Sequence, residues 1–378
     1  MFSARPLPKN FLLLSLAVLV VVLNNNLSGF SSSFAAEDLV LKENAEALQF
    51  SVNEGSWVSV SLLPDGESFF FDLLGDIYHL NIEGGIAEPI TAGMGFDSQP
   101  VVSPNGEKIA FISDRDGRDN LWIANVDGSD PLKLSNETYA YLISPTWSPD
   151  GQNIIVTKRT REIELVQYHI EGGTGVVITQ HDEDNAAKKS PGVGATFSPD
   201  GKYIYFAERL GGPDAPTDEF PVTQIVRLDL NSGARIQITR GEGGGVRPVV
   251  SPDGQWLVYG TRFETNTGLR VRNLNNGEDQ WLTYPIQRDS QENFRPSSRG
   301  MLPGYSFTPD SEAIVLSTEG KFYQIRLDDS SRSVIPFTAN VDLAVGPDLT
   351  QHWRVLSDPF PATLVQDPDL SPDNENYV

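Results

Sequence analysis

The chain has no cysteine, only four histidines, and a marked shortage of positive charge. Without cysteine there are no disulfides, no thiol nucleophile and no zinc–thiolate site. The histidines, His79, His169, His181 and His352, are too far apart to supply the closely paired imidazoles of a hydrolytic metal centre. Lys and Arg number 28 against 51 Asp and Glu, a formal net charge of −23, which repels nucleic-acid backbones and anionic lipid. No Gly-x-Ser-x-Gly elbow occurs. The closest stretch, Gly304-Tyr305-Ser306-Phe307-Thr308, lacks the last glycine and runs into a proline turn. There is no phosphate-cradling Gly-x-x-x-x-Gly-Lys-Ser/Thr either. The sequence therefore predicts no catalytic set, no metal site and no cofactor.

Long apolar runs are also missing. The longest near the N-terminus is Phe11 to Leu23, 13 residues, short of the roughly 20 that span a bilayer. Arg5 and Lys9 precede it, and Ser33-Phe34-Ala35-Ala36 follows after a polar stretch. That order describes a secretory signal peptide, residues 1–35, cut after Ala35. The expectation is a periplasmic or secreted protein with no membrane span after cleavage.

Glycine (33) and proline (26) are plentiful, as expected of short strands joined by tight turns. Ser-Pro-Asp-Gly or a near copy occurs seven times, with prolines at Pro64, Pro104, Pro149, Pro199, Pro252, Pro309 and Pro372. Spacings of 40, 45, 50, 53, 57 and 63 residues mark a repeat architecture. Six units also carry an alternating run and then an apolar–hydroxyl pair: Ile90-Thr91, Leu134-Ser135, Ile178-Thr179, Ile238-Thr239, Leu282-Thr283 and Phe337-Thr338. In unit two this pattern predicts strands A to D at Ser98–Val102, Glu107–Ser113, Asn120–Val126 and Pro131–Ser135. Six such units predict an all-β fold, a β-propeller of six four-stranded blades. Its expected extent is 56–370, after an N-terminal segment 36–55. Residues 371–378 read as the start of a further, truncated repeat. Ring closure is expected to pair a strand near Ser56–Leu62 with segments near the C-terminus.

Ser148-Pro149-Asp150-Gly151, Ser113-Asp114-Arg115-Asp116-Gly117 and Asn120-Leu121-Trp122 make the chain resemble the TolB-like propeller family. Within it, Arg247–Gly254, Gly268–Arg272, Leu282–Asp289 and Ile335–Val341 are similar to the propeller region that precedes secreted amidohydrolase domains. In those proteins a metal-dependent barrel performs the hydrolysis. The resemblance implies two alternatives: a non-catalytic propeller that binds a protein or peptide, or the propeller module of an amidohydrolase whose barrel is absent or separate.

Spacing between landmarks places the long insertions at His181–Gly194, Glu208–Phe220, Tyr284–Gly304 and Ala339–Pro361. All are B–C turns or D–A links, which share one face of an antiparallel meander. Long loops on a rigid scaffold are where binding usually resides. Tyr284–Gly304 gathers Tyr284, Arg288, Phe294, Arg295 and Arg299, cations and aromatics suited to an acidic peptide. The residue five before each proline should lie near the axis: Ser59, Gln99, Ser144, Gly194, Arg247, Gly304 and Asp367. Arg247 is the one cation among them. Asp114–Asp119 reads as a glycine hairpin, because its glycine and terminal ligand miss the calcium-loop positions.

Overall fold

The computed structural model describes residues 46–160, 163–179, 192–209, 223–291, 299–345 and 369–376. No helix longer than a single turn occurs among them, and no helix is long and apolar enough to cross a membrane. They form six β-sheets, each built on an antiparallel A-B-C-D meander. In blade two the strands are Asp97–Val102, Lys108–Ser113, Asn120–Asn125 and Leu132–Lys133, within two residues of the sequence expectation. The A strands of successive blades touch one another in a closed cycle, so they line the axis and the D strands face outward.

The proline turn explains its own conservation of type along the chain. Ser148 donates its hydroxyl to Asp150 Oδ1 at 2.5 Å and accepts Asn153 N–H at 3.0 Å. Asp150 Oδ1 also accepts Gln152 N–H at 3.0 Å, which together with the Ser148 hydroxyl holds its pKa down. Gly151 closes the turn with a φ of 69°, where a side chain would be strained. Ser198, Ser251 and Thr308 repeat the pattern. So does the seventh turn, where Ser371 bonds Asp373. Turn glycines also pack against the previous proline: Gly66 on Pro309, Gly106 on Pro64, Gly201 on Pro149 and Gly254 on Pro199. The Pro309–Gly66 contact joins the sixth blade to the first.

The apolar–hydroxyl pairs have an equally local cause. Thr91, Ser135, Thr179 and Thr239 each accept a backbone N–H from 14 residues earlier, on Ile77, Leu121, Leu165 and Ile225, at 2.8–2.9 Å. Each hydroxyl thus satisfies a buried donor near the start of strand C that would otherwise cost about 1–3 kcal/mol.

Apolar side chains collect in six clusters, one at each blade-to-blade contact. Phe70 and Ile77 of blade one meet Ile109 and Phe111 of blade two. The closing contact sets Phe69 and Phe71 against Val315 and Phe322 of blade six. A single blade would leave these faces in water, so the blades are stable only as a ring.

Closure differs from the sequence expectation. Val60–Leu62 is the inner strand of blade one and pairs only with Ser68–Leu73. The strand that crosses the seam is Phe337–Val345, which runs parallel to Gly85–Pro89 on the outer edge of blade one. Glu46–Val52 then pairs antiparallel outside it. Blade one is therefore a six-stranded sheet, and part of the 36–55 segment belongs to it. Phe337-Thr338 is not strand D of blade six, a place taken by Arg332–Ile335. Ala339–Val345 is strand rather than insertion loop. The reason is packing: Phe337 and Ala339 are buried in the seam cluster, and Val341 is buried as well.

Candidate functional site: an arginine groove and an axial ring

Blade five carries a groove of about 880 Å3 on the insertion face. Its walls are the Gly241–Gly244 link, the Arg262–Thr265 turn and the outward strands of the blade. Period-2 alternation puts Arg270 and Arg272 on the same side of strand Asn266–Asn273. Both reach Asp279, Arg270 at 2.5 Å and Arg272 at 3.4 Å. Tyr259 donates to the same carboxylate at 2.7 Å, and burial together with that bond pushes its phenol above the usual range. Arg270 also lies over Trp281, 4.9 Å from the ring centroid. Arg240 and Arg288 complete the basic lining. Arg240 makes no hydrogen bond or ion pair among the described residues.

An aromatic rim borders these cations. Phe263, Trp281 and Tyr284 touch one another with centroids 5.4–6.3 Å apart, and all three are exposed. The floor is rigid. Arg262 makes a bidentate pair with Asp289, and Thr267 donates to the same carboxylate at 2.6 Å. Both charged partners are buried.

The second feature is the axial ring. Six of the seven positions five before a proline come together, one per blade; Asp367 lies outside the described residues. Gln99 and Ser59 are bridged by Asp72, whose two oxygens accept their N–H groups at 2.8 and 2.6 Å. Ser144 N–H donates to Gln99 Oε1 at 2.7 Å. Gly194 lies beside Ser144 and Arg247, Arg247 beside Gly304, and Gly304 N–H donates to Ser59 Oγ at 3.1 Å. Gln99, Ser144, Gly194 and Arg247 all have φ between 49° and 63°, at a bulge repeated in four A strands. Bulges re-aim side chains, and non-glycine residues held there cost of order 1 kcal/mol each.

Arg247 is half-buried, and burial lowers its pKa, opposed by the Tyr305 phenol and Asp72. Burial raises Asp72 to about 6 against the pull of its backbone donors and Arg299.

The predicted site residues thus separate. Tyr284 and Arg288 belong to the groove and its rim, and Arg247 to the ring. Arg299 crosses to blade two, where it contacts Ser98 and Asp119 and covers the Phe96 ring at 4.5 Å. Phe294 and Arg295 lie outside the described residues, as do the signal segment and most of the His181–Gly194 and Glu208–Phe220 insertions. Arg240, Arg270, Arg272, Phe263 and Trp281 were not singled out from sequence. The alternation Arg270-Val271-Arg272 was the available signal. The Asp114–Asp119 carboxylates face protein donors: Asp116 pairs with Lys133 and Asp119 with Arg299. Among the described residues no cluster of His, Asp and Glu could hold a metal ion.

Residues 40–212 match the family model described as the TolB beta propeller domain. An uncharacterized peptidase, YuxL of Bacillus subtilis (strain 168), is 28% identical over 184 residues, 48% of this chain and 24% of that protein. The chain is similar in structure to TolB from Acinetobacter baumannii, with a TM-score of 0.56 and 18% identity over 75% of this chain and 65% of that one. The tricorn protease gives 0.52 and 16% over 76% and 26%. The chain spans a quarter to half the length of the first curated relatives it matches. The fold is that of a TolB-like β-propeller.

Proposed function

We propose that this TolB-like propeller is an exported, non-catalytic scaffold that binds a protein or peptide, gripping an acidic segment in the blade-five groove. One observation carries the reading: four arginines outside the buried pair, with Phe263 and Trp281, line one groove of a chain whose net charge is −23. Guanidinium groups give charge-assisted bonds to carboxylates, and the aromatic rim supplies apolar contact area.

Fluorescence anisotropy against labelled acidic and basic peptides of equal length tests it. Acidic peptides should bind, and binding should weaken as salt screens the exposed charges. The double change Arg240→Ala with Arg288→Ala should lower affinity at least tenfold while leaving the unfolding midpoint nearly unchanged. Equal binding of basic and acidic peptides would sink the reading. Export is tested by sequencing the N-terminus of the mature protein, expected at Ala36.

A second reading is favoured by the peptidase name of a much longer relative and by the amidohydrolase-like segments: the propeller as a module of a hydrolase. The coding sequence downstream, searched for a barrel with His-x-His, and a peptide-hydrolysis assay with added zinc decide between the two.

A further inference from the structure

We propose that the axial ring is a second, separate binding site, in which Arg247 and Gln99 hold one carboxylate group from opposite sides of the axis. Blades two and five face each other across a six-bladed ring, so these two residues stand on opposite walls. Two independent features point to a missing acceptor. Arg247 makes no side-chain hydrogen bond or ion pair among the described residues. Gln99 is 2% exposed, and its buried Nε2 has no partner. The orientation of that amide is fixed by its neighbour, because Ser144 N–H can donate only to the oxygen. The nitrogen is therefore left as a donor.

The nearby carboxylate does not fill the role. Both oxygens of Asp72 already accept backbone N–H groups, and no ion pair joins it to Arg247. The guanidinium is instead held against the flanking blade, with Nη2 only 2.8 Å from where a Cβ on Gly304 would stand. Tyr305 fixes the backbone behind it, donating its hydroxyl to the Arg247 carbonyl at 2.5 Å. A planar fork and an amide donor, each without an acceptor of its own among the described residues, match a carboxylate. A concavity lies on the turn face, next to the ring along the A strands. A bowl of about 270 Å3 is lined by Thr146, Thr196, Val249 and Ser306, each two residues along strand A from a ring position.

The test measures thermal unfolding of the intact mature chain in sodium acetate against sodium chloride at equal ionic strength. A ligand that binds only the folded state raises the midpoint. Acetate should raise it by a few degrees over chloride, saturably. Triglycine with a free C-terminus and triglycine amide separate the sources. A shift with the free peptide beyond that with acetate assigns the site to a chain terminus, and a shift with acetate alone assigns it to a small free carboxylate. Arg247→Gln should abolish the shift. Gln99→Glu, which keeps the acceptor for Ser144 but replaces the donor with an anion, should reduce it at least tenfold in apparent affinity. Arg288→Ala, in the groove, should leave it intact. Should Arg247→Gln fail to fold, acetate line broadening by NMR with wild-type and Gln99→Glu protein gives the same answer. Equal midpoints in acetate, triglycine and chloride, or a shift that survives both ring substitutions, would overturn the proposal.

Discussion

Asp76 shows how one residue can set the stability of the ring against pH. It is buried beside the A strand of blade two, and its Oδ1 has no hydrogen-bond partner. Burial raises its pKa to about 7; Asp97 and Asp342 push the same way and Arg115 opposes. Asp97 is itself raised by burial, although Arg115 pairs with it at 2.6 Å. A carboxyl that holds its proton more tightly when folded stabilises the protein fully below its unfolded pKa. That contribution fades as pH rises through the folded value. Asp76 therefore favours folding below about pH 4 and loses that contribution through about pH 7, while Asp72 loses its own through about pH 6. Asp76→Asn should raise the urea midpoint at pH 8 and flatten the change between pH 5 and pH 8. Nearby solvent limits the gain to on the order of 1–2 kcal/mol. Parallel pH profiles for the two proteins would show that Asp76 ionises without cost.

At the scale of elements, the groove depends on how one insertion is tied down. Asp289 sits at the root of Tyr284–Gly304 and accepts from Arg262, from Thr267 and from Gln291 N–H. Removing it would break the bidentate pair that buried Arg262 makes. Asp289→Ala should cost about 3–5 kcal/mol, read as a lower urea midpoint, whereas Arg288→Ala on the same insertion should stay within about 0.5 kcal/mol. Comparable losses would mean the insertion is held by its apolar residues, Met301 and Leu302. These relations also show what the sequence could and could not reveal. The proline turns and hydroxyl pairs were legible because their hydrogen bonds are local, spanning 2 to 14 residues. The ring was legible too, since a fixed offset from each proline sets its height along the axis. The groove was legible only in part. Tyr284 and Arg288 stand in an insertion, but Arg240, Arg262 and Arg270 come from three other segments of blades four and five. Arg299 lies apart from the groove for the same reason, since its partners Ser98 and Asp119 lie about 200 and 180 residues away. Sequence distance does not reveal which of several like cations turn inward.

For the whole molecule, the question is what keeps a ring of six unequal repeats shut. A seam between first and last blades joined only by side chains would leave strand edges open to pairing with other molecules. Here the chain crosses the seam as a strand. After leaving blade six it adds Phe337–Val345 to the outer edge of blade one, and Glu46–Val52 covers that strand in turn. Phe337 is the staple, with its ring 4.8 Å from Phe322 of blade six and 5.6 Å from Phe71 of blade one. It is 5% exposed, whereas Leu48 on the outermost strand is 51% exposed. The two positions therefore predict different costs. Phe337→Ala removes a buried ring from both sides of the seam and should cost about 3–5 kcal/mol. Leu48→Ala loses little buried area and should stay within about 0.5 kcal/mol. Urea unfolding of the two variants beside the parent measures both. If the seam strand closes the ring, Phe337→Ala should also make backbone amides of Gly85–Pro89 exchange faster, because their parallel partner then opens more often. Exchange unchanged at Gly85–Pro89, with a midpoint loss no larger than that of Leu48→Ala, would mean that the inner contacts hold the ring without the strap. Those contacts include Val60 N–H to the Gly304 carbonyl, Gly304 N–H to Ser59 Oγ and Pro309 on Gly66.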